Sequence, residues 1–303
     1  MPEGSPPGFL ADVSAPGRVE LLAYGSDAGG LSGVERVELL VAGGDAGRRL
    51  TAEAGRMPGL RVIQAMSAGV NWLRGRVPEG VVVCNAEGVF DGPMAEWVVG
   101  AILASYRGFP IARDAQARGE WTSYVPQELA GRTVVILGHG SIGSAVADRL
   151  RPFGVEIVGV ARTARDGVAG MDDIDRLLPH ADIVVDLLPL TSETERLLDA
   201  RRLALLPDGA LVVNAGRGRT IDTDALAAEA ASGRLSAALD VTDPEPLPRG
   251  HPLWAMPNVL ITPHIGGDST QSDERAWAIV EAQVRRYLAG EPLVNVVPEY
   301  LLR

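Results

Sequence analysis

The 303-residue chain is long enough for two domains of about 150 residues each, and its 46% hydrophobic and 22% charged residues are typical of a compact globular protein. The formal net charge of −11 argues against nucleic acid or an anionic membrane as a partner, since both bind basic surfaces. One cysteine and no lysine exclude an intrachain disulfide, a cysteine-cluster metal site and Schiff-base catalysis through lysine.

The first segment, about residues 1–17, is rich in Pro and Gly and is predicted to be disordered. It has neither the basic start nor the apolar centre of a signal peptide, and no stretch of the chain approaches the roughly 18 apolar residues of a spanning helix. These features predict a cytoplasmic protein without membrane contact.

Four short apolar runs separated by turn residues follow, at 18–25, 36–44, 60–69 and 80–88. They predict the parallel strands of a small α/β unit, with the single cysteine, Cys84, in its core. The next segment has apolar residues at helical spacing after an Asp-Gly-Pro start, which predicts a long helix over 91–108.

From residue 131 the pattern becomes more regular, and helical stretches separate most of its apolar runs. The six runs are RTVVILG, VEIVGVA, ADIVVDLLP, GALVVNAG, SAALDV and NVLITPH. Six strands with helical crossovers predict a doubly wound parallel sheet. A second long helix is predicted over 268–290, and the tail after it could return to the first unit.

The segment TVVILGHGSIG places Gly138, Gly140 and Gly143 in a G-x-G-x-x-G register between a predicted strand and a predicted helix. Gly138 permits the tight turn, Gly140 lets the backbone approach a pyrophosphate, and Gly143 lets helix and strand pack closely. Amides at the helix N-terminus would bind the phosphates. The alternative is a glycine-rich turn that binds nothing, but the flanking strand and helix favour a dinucleotide site.

The end of the second strand of this sheet lacks the Asp or Glu that normally binds the adenosine ribose about 20 residues past the glycines. Ala161 stands there, followed by Arg162, Thr163 and Arg165. A guanidinium group could pair with a 2′-phosphate through a forked, charge-assisted contact. We therefore predict NADP(H) as the favoured cofactor, with NAD(H) as the second candidate. The alternative is that these arginines form a solvated turn and both cofactors bind.

Polar side chains follow the remaining strands, namely Asn214, Arg217, Asp240, Glu245 and His264. Arginine matches a substrate carboxylate, and histidine titrates near working pH and can protonate a carbonyl oxygen beside a stabilising carboxylate. The set suits hydride transfer to a 2-keto acid. Taken singly, each residue could instead be a surface arginine, a loop carboxylate or a strand cap.

Four sequence blocks between about residues 60 and 295 resemble the D-isomer-specific 2-hydroxyacid dehydrogenases, in the order of that family. They are NAEGVFDGPMAEWVVGAIL, LAGRTVVILGHGSIGSAVADRLRPFG, LLPLTSETERLLDARRLALLPDGALVVNAGRG and ALDVTDPEPLPRGHPLWAMPNVLITPHIGG. The resemblance implies an α/β protein with a Rossmann doubly wound domain and a smaller flavodoxin-like α/β substrate domain. It also implies a small 2-keto or 2-hydroxy acid as the substrate. The missing ribose-binding acid is shared with the NADPH-using glyoxylate and hydroxypyruvate reductases.

The resemblance also implies a role for each residue of a catalytic set. Arg217 would hold the substrate, His264 would be the acid/base that protonates the carbonyl oxygen, and Glu245 would be its carboxylate partner. Substrate binding would involve Arg217, His264 and backbone amides around Ala68 and Gly69.

For the cofactor, the resemblance implies that Asp240 contacts the nicotinamide carboxamide. The complete predicted cofactor set is Gly138, Gly140, Ser141, Ile142, Gly143, Arg162, Thr163, Arg165, Leu188, Pro189, Thr194, Asn214, Ala215, Asp240 and Gly267. No metal ligand is predicted.

The same resemblance divides the chain into a substrate domain over 1–96, a dinucleotide-binding domain over 97–268, and a return to the substrate domain over 269–303. It implies a homodimer that the helix at 91–108 helps to form. Asn71 stands where many relatives carry an acid, and the segment before the matched blocks gives little resemblance, so the substrate stays open.

The predicted activity is that of an NAD(P)-dependent D-2-hydroxyacid dehydrogenase, a reductase of glyoxylate-like or hydroxypyruvate-like 2-keto acids. Two alternatives remain. A dinucleotide-sensing protein, like the corepressors that resemble this family, would bind cofactor and a protein partner without turnover. A dehydrogenase of phosphite or a one-carbon anion would share the cofactor and the Arg-His pair.

Overall fold

The computed structural model describes residues 19–22, 24 and 33–302. The chain forms two compact units, which we call the terminal unit (Met1–Phe90 with Ser269–Arg303) and the central unit (Asp91–Asp268). The helix that begins at Asp91 belongs wholly to the central unit, so this unit begins before the domain boundary at 96 that the resemblance implies. The disorder predicted for residues 1–17 lies outside the described residues.

In its described part, the terminal unit contains a parallel sheet of three strands in the order β1-β2-β3. Its first elements are β1 (Leu39–Ala42), α1 (Gly44–Ala52), β2 (Val62–Ala65) and β3 (Val82–Cys84). The strands predicted within 36–44, 60–69 and 80–88 are thereby confirmed. The run at 18–25 falls partly outside the described residues, and 19–22 and 24 belong to no strand.

The central unit is described throughout and contains a seven-stranded parallel sheet in the order β10-β9-β8-β7-β4-β5-β6. Its elements are α2 (Asp91–Tyr106), α3 (Phe109–Ala117), β4 (Thr133–Leu137), α4 (Ser141–Leu150), β5 (Glu156–Ala161), β6 (Val168–Gly170), α5 (Ile174–Leu177), β7 (Ile183–Asp186), α6 (Ala200–Leu203), β8 (Leu211–Asn214), α7 (Thr223–Ala231), β9 (Ser236–Leu239) and β10 (Val259–Ile261). The six predicted strands and the α/β class are confirmed. Strand β6 was missed because Val-Ala-Gly is too short to stand out as an apolar run.

The strand order reverses between β4 and β7, since β5 and β6 lie on one side of β4 and β7 to β10 on the other. In doubly wound sheets, ligands bind outside the carboxyl ends of the strands at such a switch point. The loops that follow β4 and β7 are therefore the expected walls of a ligand site.

The central sheet is buried on both faces, as its almost uninterrupted apolar strands require. One apolar layer includes Leu178, Leu198 and Leu203, and the other packs Val98 and Ile102 of α2 against the sheet. The sheet is thus a rigid support for the loops at the carboxyl ends of its strands. No helix in the described part of the chain has the length and apolar character that a bilayer crossing requires.

Helix α8 (Ser272–Ala289) belongs to the terminal unit and is anchored through a buried glutamine. The Nε2 atom of Gln283 donates to Oε1 of Gln64 at 3.0 Å and to the carbonyl of Val294 at 2.8 Å, and its Oε1 accepts from the Val294 amide at 3.1 Å. Cys84 lies beside this network, and burial raises the pKa of its thiol to about 11 against the opposing effect of a hydrogen bond with Gln283.

Candidate active site

The loop after β4 has the shape that its three glycines predict. Gly138 has φ +95°, and a Cβ there would lie 2.9 Å from the carbonyl oxygen of Leu187, while a Cβ at Gly143 would lie 2.6 Å from the carbonyl oxygen of Gly138. At Gly140 a Cβ would meet no described atom within 4 Å, so this face of the loop is open. No described side chain caps α4, which leaves its first-turn amides available to an anion. The loop therefore fits a dinucleotide pyrophosphate.

Arg162, Thr163 and Arg165 form the exposed turn at the carboxyl end of β5. A guanidinium nitrogen of Arg165 donates to the carbonyl of His139 in the glycine loop. Nη2 of Arg162 lies 3.1 Å from Oε1 of Glu193. The predicted basic turn therefore adjoins the glycine loop, and one of its arginines, Arg162, faces the Glu193 carboxylate, which is not among the predicted site residues.

The imidazole of His139 packs against β5, since a Cβ at Gly159 would lie 2.3 Å from its Cδ2. Its Nδ1 is buried and has no hydrogen-bond partner among the described residues. The ring thus contributes to the packing beneath the glycine loop.

The segment after β7 folds into a compact turn beside the glycine loop. The Thr194 hydroxyl donates to the carbonyl of Pro189 at 2.6 Å and accepts from the Thr191 amide at 2.8 Å. A Cβ at Gly216 would lie 2.8 Å from the carbonyl oxygen of Leu188. Leu188, Pro189 and Thr194 are thus brought together, with the Thr194 hydroxyl used inside the turn.

The loop after β8 is shaped by Asn214, whose side chain is buried. Its Nδ2 donates to the carbonyl of Arg217 at 3.1 Å, and its Oδ1 accepts from the Gly216 amide at 3.0 Å. A guanidinium nitrogen of Arg217 donates to the carbonyl of Gly216 at 2.6 Å, and the Ala215 amide donates to the carbonyl of Asp186 at 3.0 Å. Hydrogen bonds therefore fix the backbone of this loop at Ala215, Gly216 and Arg217.

Asp186, at the end of β7, supports the same loop and was not among the predicted site residues. Its Oδ1 accepts from the Leu188 amide at 2.9 Å, and its Oδ2 contacts the Thr220 hydroxyl. That hydroxyl also lies 2.6 Å from the carbonyl oxygen of Arg217. Complete burial raises the pKa of Asp186 to about 6, against the lowering effect of the hydrogen bonds with Thr220 and Leu188. A carboxylate ending an apolar strand is the signal that could have identified it.

His264 and Glu245 form a direct side-chain pair, with His264 Nδ1 2.5 Å from Glu245 Oε1. Their side chains are 47% and 43% exposed, so the pair is open to a ligand. Arg217, Glu245 and His264 follow β8, β9 and β10, which are neighbours in the sheet. The topology therefore brings the three predicted catalytic residues to adjacent strand ends.

Asp240 lies beneath the His264 loop, with a carboxylate that is almost fully buried. It accepts hydrogen bonds from the Thr262 hydroxyl at 2.6 Å, the Ile265 amide at 2.9 Å and the Gly266 amide at 2.8 Å. Asp240 therefore fixes the loop that carries His264. Its contact with the nicotinamide carboxamide stays a prediction, as does the role of half-buried Gly267.

Helix α2 is attached to both loops of the site, which the sequence did not reveal. The Ser141 hydroxyl at the start of α4 donates to the carboxylate of Asp91. Nε1 of Trp97 donates to the Thr262 hydroxyl at 3.0 Å. Ile142, the next residue of α4, is half-buried. One helix thus holds the cofactor loop and the His264 loop.

Ala68 and Gly69 lie in the loop after β2 in the terminal unit. The carbonyl of Ala68 accepts from Asn85 Nδ2 at 2.8 Å, and that of Gly69 accepts from the Ser67 hydroxyl at 2.8 Å and from Trp72 Nε1 at 3.2 Å. These bonds give the loop a fixed shape. Binding of a substrate carboxylate by its amides stays a prediction.

The described residues contain no group of three or more His, Cys, Asp and Glu side chains that could hold a metal ion. A glycine loop at a topological switch point, together with a histidine-carboxylate pair after β9 and β10 of the same sheet, is typical of the class of nicotinamide-dependent dehydrogenases.

Comparison with known proteins specifies the class further. Residues 99–266 match the family model for the NAD binding domain of D-isomer specific 2-hydroxyacid dehydrogenases. Glyoxylate reductase of Thermofilum pendens is 35% identical over 263 residues, which cover 81% of this chain and 77% of that protein. D-3-phosphoglycerate dehydrogenase of Methanocaldococcus jannaschii is 35% identical over 251 residues, which cover 78% of this chain but only 47% of that protein.

Comparison with solved structures indicates the same family. The NADPH-dependent glyoxylate/hydroxypyruvate reductase of Sinorhizobium meliloti, crystallised with NADP and sulfate, superimposes with a TM-score of 0.78 at 31% identity, over 88% of this chain and 86% of that one. The chain belongs to the D-isomer specific 2-hydroxyacid dehydrogenase family and is an NAD(P)-dependent oxidoreductase.

Proposed function

We propose that this protein reduces small 2-keto acids of the glyoxylate and hydroxypyruvate kind, with NADPH as the favoured reductant. The observation that carries the proposal is the 2.5 Å contact between His264 Nδ1 and Glu245 Oε1, one strand away from the Arg217 loop. His264 is thus a proton donor, and Arg217 an anion-binding group, at the carboxyl ends of strands of one sheet.

His264 acts as the general acid. Because Glu245 accepts from Nδ1, the other ring nitrogen, Nε2, carries the proton that passes to the substrate oxygen. The Glu245 carboxylate stabilises the imidazolium form before that transfer. The nicotinamide, when bound, supplies the hydride to the keto carbon.

Arg217 binds the substrate anion and polarises its carbonyl group. A planar guanidinium matches a carboxylate, and the Arg217 backbone is fixed by Asn214 and Thr220, which limits its motion. The terminal unit is the proposed substrate domain, through the backbone amides around Ala68 and Gly69, and the central unit is the proposed dinucleotide domain.

The turn after β5 favours a 2′-phosphorylated cofactor. Ala161 ends the strand where an NAD-specific site carries an acid, and Arg162, Thr163 and Arg165 supply cationic and hydroxyl donors. Crystallisation of the Sinorhizobium meliloti relative with NADP supports this assignment.

We also propose a homodimer. Five large apolar side chains are exposed on α3 and the segment after it: Phe109, Ile111, Trp121, Tyr124 and Val125. Trp121 is 99% exposed. Exposed apolar residues this close along the chain are typical of an interaction surface, and most soluble oligomers are twofold dimers of one chain.

The test is an absorbance assay that pairs NADH or NADPH with glyoxylate, hydroxypyruvate, pyruvate and phenylpyruvate. D-3-phosphoglycerate and phosphite are tested in the oxidative direction with NAD⁺ or NADP⁺. Fastest turnover with NADPH and glyoxylate or hydroxypyruvate supports the proposal. Preferred oxidation of phosphite would contradict it, and so would saturable nucleotide binding without turnover of any acid, which is the behaviour of a dinucleotide sensor.

A further inference from the structure

The Arg162–Glu193 ion pair joins the two sides of the glycine loop. Arg162 directly follows β5, and Glu193 lies in the turn after β7, with Nη2 and Oε1 3.1 Å apart. Strand β4 lies between β5 and β7, and the glycine loop follows it. The pair therefore connects the two turns that flank the phosphate-binding loop.

This position brings a carboxylate to the arginine that the proposed function assigns to the cofactor 2′-phosphate. A phosphate dianion and the Glu193 carboxylate repel each other when both approach one guanidinium group. Arg162 would therefore have to exchange Glu193 for the phosphate when NADPH binds.

We propose that Glu193 is a specificity-determining residue that competes with the 2′-phosphate for Arg162 and so lowers the preference for NADPH over NADH. This inference rests on the proposed function. It adds to the proposed cofactor site a second residue, Glu193, which lies 31 positions after Arg162 in the chain.

The same carboxylate suits a cofactor without the phosphate. Dinucleotide sites that select NADH place an Asp or Glu where it accepts a hydrogen bond from the ribose 2′-hydroxyl. That acid is absent from the end of β5, where Ala161 stands, and Glu193 supplies one from the turn after β7. The pair thus offers a cation to one cofactor and a carboxylate to the other.

The expected size of the change in ligand affinity follows from the exposure of the two side chains. The Arg162 and Glu193 side chains are 51% and 61% exposed, and ion pairs at such sites are weak and screened by salt. Removing the carboxylate should therefore change the affinity for a 2′-phosphorylated ligand by about two- to fivefold.

The experiment measures dissociation constants by calorimetry for NADPH, NADH, 2′,5′-ADP and 5′-AMP, using the full chain and Glu193→Gln. We expect about two- to fivefold tighter binding of the two 2′-phosphorylated ligands, with binding of NADH and 5′-AMP unchanged or weaker. The gain should shrink as salt concentration rises.

Glu195→Gln is the matched control, because Glu195 is two residues away, carries the same charge and pairs with Arg219 instead. This variant should change the dissociation constants of the phosphorylated and the unphosphorylated ligands by the same factor. In an Arg162→Ala background, Glu193→Gln should lose its selective effect, which makes a double-mutant cycle.

Equal tightening of both ligand classes by Glu193→Gln, or the same selective gain without Arg162, would overturn this inference and leave the proposed function standing. A wild-type chain that binds neither nucleotide would overturn the proposed function and this inference with it.

Discussion

His264 has a left-handed backbone, with φ 56°, that few side chains adopt. Its amide donates to the carbonyl of Asp240 at 2.9 Å, so the surrounding loop holds it in this conformation. Asn tolerates left-handed backbone better than most residues. His264→Asn therefore removes the imidazole with little change in the backbone requirement.

For His264→Asn we predict a fall in kcat of at least about 10²-fold, because proton donation in the transition state is lost. The dissociation constant for NADPH should stay close to that of the wild type, since the glycine loop is untouched. Steady-state kinetics and calorimetry measure the two quantities, and an unchanged kcat would rule out His264 as the proton donor. Glu245→Gln should also lower kcat, because the neutral amide stabilises the imidazolium less than the carboxylate does.

Asp186 should make folding stability depend on pH. Its pKa is raised to about 6 from 3.8, so between about pH 4 and 6 the folded chain keeps a proton that the unfolded chain has lost. The free energy of unfolding should therefore fall as pH rises through this window, by about 3 kcal/mol in total.

Urea unfolding of the wild type and Asp186→Asn over this pH range measures that contribution. Asn keeps an acceptor for the Leu188 amide and does not titrate, so the stability difference between the two chains should shift by about 3 kcal/mol in favour of the variant as pH rises. Parallel curves would show that Asp186 does not titrate in this window.

The loops after β8 and β9 pack backbone against backbone at Gly218. A Cβ there would lie only 1.9 Å from the carbonyl oxygen of Thr242, three residues before Glu245. Gly218→Ala must push the Glu245 loop away from the Arg217 loop. Since small misplacements of catalytic groups are costly, we predict a loss of about 10²-fold in kcat/KM with the secondary structure retained by circular dichroism.

Gly55→Ala is the control for this change, because a Cβ at Gly55 meets nothing within 4 Å. It should leave kcat/KM unchanged. Equal activity of the Gly218→Ala chain would mean that the separation of the two loops does not matter for turnover.

What the sequence predicts well is local. Six of the seven strands of the central sheet are continuous apolar runs, and the glycine register and the strand-end residues can be read from their immediate neighbours along the chain. Contacts between distant segments were missed, because nothing near Trp97 indicates Thr262, 165 positions later, and nothing near Arg162 indicates Glu193. The cofactor contacts of Asn214 and Thr194 stay predictions, and their hydrogen bonds within the loops could be identified only from the fold.

The oligomeric state can be tested at the exposed apolar surface of α3 and the segment after it. If two copies bury it, light scattering should give twice the chain mass of 31.9 kDa, and Trp121→Asp with Val125→Asp should lower that mass, because the charges would be buried unpaired. Leu288→Asp, an exposed apolar site on α8, is the control and should leave the mass unchanged. A wild type that runs at the mass of one chain at all concentrations would refute the dimer.

The burial of Cys84 has a practical consequence for physical studies. With a thiol pKa of about 11 and no solvent exposure, the single native cysteine should be inert to maleimides and iodoacetamides at neutral pH. Two cysteines introduced at exposed positions, one in each unit, would then be the only reactive thiols, so fluorophores or spin labels attached to them could report the distance between the units without first removing a native thiol.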